Sequence, residues 1–375
     1  MRYPDFLKTN GKIGFVAPSF GCATEPYISY FDNALKKLRA EGYTLKLGPN
    51  CYVEKGIGIS NTPDKCGAEL NEMYTDNDSD VLISCGGGEM MCEVVPYIDF
   101  DKIGRSRPKW YMGYSDNTNF TFLSATLADT AAIYGPCAAA LGMEPWHKAI
   151  HDAMSVITGT GISDDSFTFK GYDKWEYKNN KDEAMLFAPY NTTEDSRIIS
   201  LKDGSIGDYE EDVRLSYIDP EGEPTVIRRP VSTGDITMSG RLIGGCMDCL
   251  AHLIGTPYDK VSEFADRYAS DGIIWFLEAC DLNPMEIRRV MWHMKTAGWF
   301  SNVSGFIIGR TGRYGEEMMG LDNYHAVVDI ISECGVPILL DADIGHHPPM
   351  MPIICGSIAT VRTVGNSYSI EMRLG

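Results

Sequence analysis

Gly113-Tyr114-Ser115-Asp116-Asn117-Thr118 sets a serine in a glycine-led turn between the apolar run 109–112 and a helix-patterned stretch with Phe120, Phe122, Leu123 and Leu127. A strand, a sharp turn with serine at its apex and a helix describe a nucleophile elbow, which exposes the hydroxyl and aims a helix N-terminus at it. Backbone N–H groups there can hold a developing oxyanion. Asn117 stands where the G-x-S-x-G consensus has its second glycine. The same residues therefore also fit a plain helix start capped by Ser115 or Asp116.

A nucleophilic serine needs a base. Asp341-Ala342-Asp343-Ile344-Gly345-His346-His347-Pro348-Pro349 places two of the seven histidines side by side in a proline-stiffened loop. His346 and His347 are the candidates for general base. Asp341, Asp343, His346 and His347 also offer metal-ligand chemistry, although adjacent side chains seldom converge on one ion. A purely structural role in the loop is the third reading. Glu278 ends the apolar run 271–277, where a carboxylate is costly to bury without a compensating partner. Ser115, Glu278 and His346 follow the Ser…Asp/Glu…His order of elbow hydrolases.

Gly86-Gly87-Gly88 closes another apolar run, 80–85. It lacks the lysine of a phosphate-binding loop and the G-x-G-x-x-G spacing, because Met91 stands three residues beyond Gly88. It reads either as a flexible turn or as a backbone amide donor facing Ser115. Arg241, Arg310 and Arg313 are candidate anion readers, with structural ion pairs as the alternative.

The elements that must position these residues alternate. Apolar runs at 12–18, 43–47, 80–85 and 109–112 read as buried strands. Helical stripes separate them: one opened by Pro26 and stopped by Gly42, one capped by Thr62 with Pro63 first, and a third before Asp99. Such alternation implies a parallel sheet with helices on both faces and a ligand crevice beyond the carboxyl ends of the strands. From about 163 to 235 periodicity fades and aromatic residues gather, among them Trp175 and Tyr177. These two rings could stack on a ligand ring or could pin the loop to the protein. From 240 onward, strands at 240–245, 271–277, 305–309 and 337–340 resume. Helices fall between them, one capped by Asn283 before Pro284, and a hairpin signature turns at Gly365-Asn366. The second ordered region thus mixes parallel and antiparallel strands. The fold expected is α/β: a flavodoxin-like parallel-sheet domain over 1–160, a polar and aromatic connecting insertion over 161–236, and a mixed α/β domain with β-barrel-like character over 237–375.

Composition narrows the partners. The 52 acidic against 33 basic residues give a formal net charge of −19, a surface that repels nucleic-acid phosphates and anionic lipid. No apolar run of about 18 residues could cross a bilayer, and no signal-like apolar segment opens the chain, so a cytoplasmic location is expected. Eleven cysteines include only one C-x-x-C, Cys246 and Cys249, without the second pair a zinc site needs. They read as small buried hydrophobes in a reducing compartment.

The elbow, the glycines before Pro96-Tyr97-Ile98-Asp99, Leu242-Ile243-Gly244-Gly245, Phe276-Leu277-Glu278 and Gly345-His346 together resemble the LD-carboxypeptidase family of serine peptidases, in order and over almost the whole chain. The resemblance implies a triad of Ser115, Glu278 and His346 split between two domains, with His346 preferred because the family motif is Gly-His. It also implies oxyanion donors at the backbone amides of Asp116 and of Gly87 or Gly88, a homodimer, and no metal or organic cofactor. The family's frequent Arg-Gly-Gly reads Gly86-Gly87-Gly88 here, which puts any role of that arginine in doubt. Two branches are open. One removes the terminal D-alanine of murein tetrapeptides. The other resembles microcin C immunity peptidases, which cleave an amide between an acidic aminoacyl group and a nucleotide-like moiety. The aromatic insertion, with Trp175 as a stacking residue, favours the second branch and a small peptide or peptidyl-nucleotide substrate. A metal-dependent hydrolase and a non-catalytic ligand clamp are the readings from other classes.

Overall fold

The computed structural model describes residues 1–178, 186–218 and 223–375. In its first sheet Lys12–Val16 lies between Thr44–Leu47 and Val81–Ser84, and Trp110–Gly113 and Ala132–Tyr134 follow in parallel. Ile353–Cys355, from the far end of the chain, adds an antiparallel edge beside Ala132–Tyr134. The strand order reverses direction between Lys12–Val16 and Val81–Ser84. In a doubly wound sheet that reversal opens the crevice beyond the carboxyl ends of these strands. The loop after Val16, the triple glycine and the turn after Gly113 all emerge there.

The second sheet runs Ser166–Lys170, Ser367–Arg373, Ile358–Val364, Thr237–Cys246, Ile273–Glu278, Val303–Gly309, Ile338–Ala342, Ile199–Leu201. Its four central strands, Thr237–Cys246 through Ile338–Ala342, are parallel, and the outer ones antiparallel. Ile273–Glu278 is buried along its whole length, as a parallel strand covered on both faces should be. Ser166–Lys170 and Ile199–Leu201 are the edges, and among the described residues they do not pair with each other. By its hydrogen bonds this sheet is therefore open, and the expected barrel-like closure is absent. Both edge strands come from the aromatic stretch read in the sequence as a connector, so part of it is built into the sheet.

One local expectation is corrected. The helical stripe before Asp99 is two short 3₁₀ turns, Met91–Glu93 and Val95–Tyr97, with Pro96 inside the second. Proline cannot continue an α-helix from within. The α-helix, Phe100–Arg105, starts after Asp99, whose carboxylate accepts the Lys102 N–H at 2.8 Å.

The two sheets meet at the elbow helix, Thr118–Thr126, whose residues are all buried. Gly244 and Gly245 have φ of +147° and +145°, and a Cβ on Gly245 would fall 2.6 Å from the Thr118 methyl. Bare backbone at this point lets Thr237–Cys246 press against the helix. No helix among the described residues is long and apolar enough to cross a membrane.

Candidate active site

Ser115 has φ +60°, the left-handed region that costs a residue with a side chain, and it opens a 3₁₀ turn, Ser115–Asn117, that leads into the elbow helix. Asn117 explains the broken consensus. Its amide donates to the Gly86 carbonyl at 2.8 Å and the Tyr114 carbonyl at 3.1 Å, while Tyr111 donates to its oxygen. The side chain thus fastens the triple-glycine loop to the elbow. A Cβ on Gly113 would fall 2.8 Å from that side chain, so glycine is required there.

The triple glycine faces the serine. A Cβ at Gly87 would lie 3.3 Å from Ser115 Oγ, and one at Gly88 would strike Ser19 Oγ at 2.2 Å. Among the described residues the N–H groups of Gly87, Gly88 and Asp116 have no hydrogen-bond partner. The Asp116 side chain turns inward, accepting from Ser19 Oγ at 2.5 Å, the Met91 N–H at 2.9 Å and Asn119 at 3.0 Å. Burial pushes its carboxyl up to about 6 despite those bonds.

Ser115, His346 and Glu278 form one chain of hydrogen bonds. His346 Nε2 lies 2.9 Å from Ser115 Oγ, and His346 Nδ1 lies 2.8 Å from Glu278 Oε2. Glu278 is sealed from solvent, and His346 keeps 19% of its side chain open. Burial alone would raise the Glu278 carboxyl, but the His346 imidazole and the Tyr134 hydroxyl outweigh it and hold the group below its usual range. Burial would likewise depress His346, yet the Glu278 carboxylate holds it well above the ordinary imidazole value. Gly345, at φ +102°, allows the approach, because a Cβ there would sit 2.7 Å from Glu278 Oε2. A serine proton can pass to an imidazole held in this tautomer by a buried carboxylate, which is the requirement of acyl transfer through serine.

Family models for the LD-carboxypeptidase N-terminal domain and C-terminal domain match residues 13–135 and 239–361. The chain belongs to the LD-carboxypeptidase family. Such membership makes it a serine-type carboxypeptidase or related hydrolase. The probable murein peptide carboxypeptidase of Bacillus subtilis (strain 168) is 24% identical over 98% of this chain and 94% of its own length. The microcin C7 self-immunity protein MccF of Escherichia coli is 23% identical over 93% and 90%. The structure of MccF in complex with aspartyl sulfamoyl adenosine shares the fold, with a TM-score of 0.75 at 19% identity, covering 100% of this chain and 99% of that one.

The remaining histidine, aspartate and arginine candidates of this family member take partners other than the serine. His347 turns its ring nitrogens to the Thr311 carbonyl at 2.9 Å and the Glu176 carbonyl at 3.3 Å. Asp341 takes hydroxyls from Tyr314 and Tyr324, and Asp343 pairs with Arg310 at 2.7 Å. The four residues of the metal reading are thus committed to separate partners, and no ion-holding cluster of His, Cys, Asp or Glu occurs among the described residues. Arg241 pairs with Asp271 at 2.6 Å and takes its structural alternative, whereas Arg313 meets Glu316 only at 3.4 Å and stays half-exposed. Cys246 and Cys249 are free and buried beside the elbow.

Trp175 is enclosed by protein side chains. It is 2% exposed, with Arg310 over its ring and Tyr314, His347 and Tyr177 set edge-on around it. Trp175 edges a small cavity of about 130 Å³, and Tyr177 and Lys178 line one of about 380 Å³ with His347, Gly312 and Arg313. Four neighbours of the site were missed in the sequence: Tyr134, Asp248, Cys280 and Glu89. Tyr134 carried a signal, since it ends a short apolar strand beside the elbow strand and is followed by Gly135-Pro136.

Proposed function

We propose that this protein is a serine amidohydrolase acting through an acyl-enzyme. Ser115 attacks the scissile carbonyl while His346 takes the serine proton. Glu278 holds the imidazole in the correct tautomer and stabilises its charged form. The oxyanion is received by the N–H groups of Asp116 and Gly87, with Gly88 as the alternative donor. His346 then returns the proton to the leaving amine, the C–N bond breaks, and water releases the acyl group by the same steps in reverse order. The observation that carries this reading is the hydrogen-bond chain from Ser115 Oγ through His346 to Glu278, with distances of 2.9 and 2.8 Å. No metal or organic cofactor has a part in it. Residues 1–160 would supply the nucleophile and 237–375 the base and its carboxylate, with 161–236 as the insertion connecting them. We read the chain as a cytosolic homodimer. Its eleven unpaired cysteines support a reducing compartment.

The substrate we propose is a small aminoacyl or peptidyl conjugate whose leaving group is nucleotide-like, as in microcin immunity. The cavity beside His347 supports it, joining a tyrosine ring to the cations Lys178 and Arg313. The second reading, release of D-alanine from a murein tetrapeptide, is favoured by the 24% identity to the Bacillus murein peptide carboxypeptidase. Wild type and Ser115→Ala, with and without chelator, would be compared on aspartyl sulfamoyl adenosine and a murein tetrapeptide. Serine-dependent, chelator-resistant cleavage of one substrate is expected and chooses the branch. Cleavage that survives Ser115→Ala would overturn the reading.

A further inference from the structure

Tyr134 ends the strand Ala132–Tyr134 opposite Gly113, two residues before the nucleophile. Its hydroxyl is buried between the two sheets. It donates to Glu278 Oε1 at 2.5 Å and accepts the Ser115 N–H at 3.2 Å. A phenol has one proton and an amide nitrogen can only donate, so the direction of both bonds is settled: the proton goes to the carboxylate. Glu278 thereby has each oxygen engaged, Oε1 by Tyr134 and Oε2 by His346. The Ser115 N–H, which the left-handed turn leaves without a helical partner, is satisfied and kept out of the oxyanion site. Phe276, on the Glu278 strand, packs against the ring at 5.6 Å and fixes its tilt.

We propose that Tyr134 is a positioning residue of this reaction, tying the backbone of Ser115 to the carboxylate of Glu278 and setting how strongly that carboxylate charges His346. The inference rests on the serine reading above. A donor on Oε1 spreads the carboxylate charge, and its removal concentrates that charge on the imidazole. The other titratable neighbours of His346 are Cys280, Glu89 and His347, with Tyr114 against its face and Cys246 beside Glu278. Tyr134→Phe replaces none of these groups.

The test compares full-length wild type, Tyr134→Phe and protein carrying 3-fluorotyrosine at position 134. The His346 ring is titrated by NMR, its signal identified by loss in His346→Gln, and turnover is measured on aspartyl sulfamoyl adenosine and a murein tetrapeptide. Tyr134→Phe should raise the His346 midpoint by about one pH unit. It should lower kcat about 10- to 100-fold with KM within about twofold. Fluorotyrosine, a stronger donor, should move the midpoint the other way. An unmoved midpoint in both proteins overturns the assignment, as does a kcat loss that only tracks the folded fraction. If Tyr134→Phe does not fold, the fluorinated protein decides alone, since it keeps the ring and the hydroxyl. Turnover that survives Ser115→Ala overturns the underlying reading, whatever the titration gives.

Discussion

The Cys246 N–H donates to the Thr118 hydroxyl at 3.0 Å, joining the first residue of the elbow helix to the last residue of the strand that pairs with Glu278. Cys246 lies opposite Glu278 in the parallel register. One hydrogen bond therefore registers the sheet carrying Glu278 on the helix that follows Ser115. Thr118→Val keeps the volume and orphans a buried N–H, at a cost of about 1–3 kcal/mol. We expect a lower Tm and a kcat loss larger than the loss of folded protein. A stable variant with unchanged kcat would show that the bond does not align the site.

In the proposed mechanism Glu278 sets the acidic limb of activity. Protonated His346 cannot accept the serine proton, so turnover rises with pH through the His346 midpoint, which Glu278 holds above the ordinary value of about 6.5. The stability His346 gains from this pairing is complete below about 6.5 and lost as pH rises through the folded midpoint. Glu278, held low, contributes above its ordinary value of about 4.3 and loses that contribution as pH falls through its own folded midpoint. Glu278→Gln should move the limb of kcat/KM to lower pH and cut kcat about 10⁴-fold. A limb that stays in place would remove Glu278 from the mechanism.

His347 separates the two histidines by pH. Burial, with Arg310 nearby, pushes it down to about 4. A base depressed in the folded state lends stability that is complete above about 6.5 and lost as pH falls from there toward its folded midpoint. His347→Gln should flatten the loss of Tm between these limits and leave the activity limb where it is. Movement of that limb would point to His347 as the base.

What the sequence disclosed depended on range. Strands with unbroken apolar runs, the Asn283 cap and the Gly365 turn are local, and they stand within a few residues of where the pattern put them. Pro96 was equally local, and its veto on a helix before Asp99 was legible. Ser115, Glu278 and His346 could be ordered along the chain because each ends or follows a strand. Trp175 could not be judged this way. Its burial depends on Arg310 and Tyr314, which lie on another part of the chain, and composition does not say which face of an aromatic ring is filled. Tyr134 shows the same limit, because its partner Glu278 belongs to the other sheet.

Glu89 should tune affinity for anionic substrates. It is exposed at the rim near His346, and partial burial together with Asp281 and Asp248 raises its carboxyl. A substrate bearing a free carboxylate approaches against these three acids. Glu89→Gln should lower KM for aspartyl sulfamoyl adenosine about two- to fivefold at low salt, and the gain should vanish at about 0.5 M salt, where the screening length is a few ångströms. Identical KM values at both ionic strengths would show that the rim charge does not reach the substrate.

Gly87 and Gly88 should respond differently to one added methyl group. Neither has a positive φ, so alanine is admissible on backbone grounds at both positions. At Gly87 the methyl would lie 3.1 Å from Ser115 Cβ and 3.3 Å from its Oγ, crowding the nucleophile without touching the loop that carries it. At Gly88 it would collide with Ser19 Oγ and lie 2.9 Å from the Gly58 carbonyl, so the loop itself must shift. Gly87→Ala keeps its N–H, so its Tm should hold while kcat falls about 10²-fold because the methyl displaces the Ser115 hydroxyl from its attacking position. Gly88→Ala should lose Tm first, with activity following the folded fraction. The opposite pattern, a stable Gly88→Ala with the larger kcat loss, would show that Gly88 and not Gly87 is packed against the reacting serine.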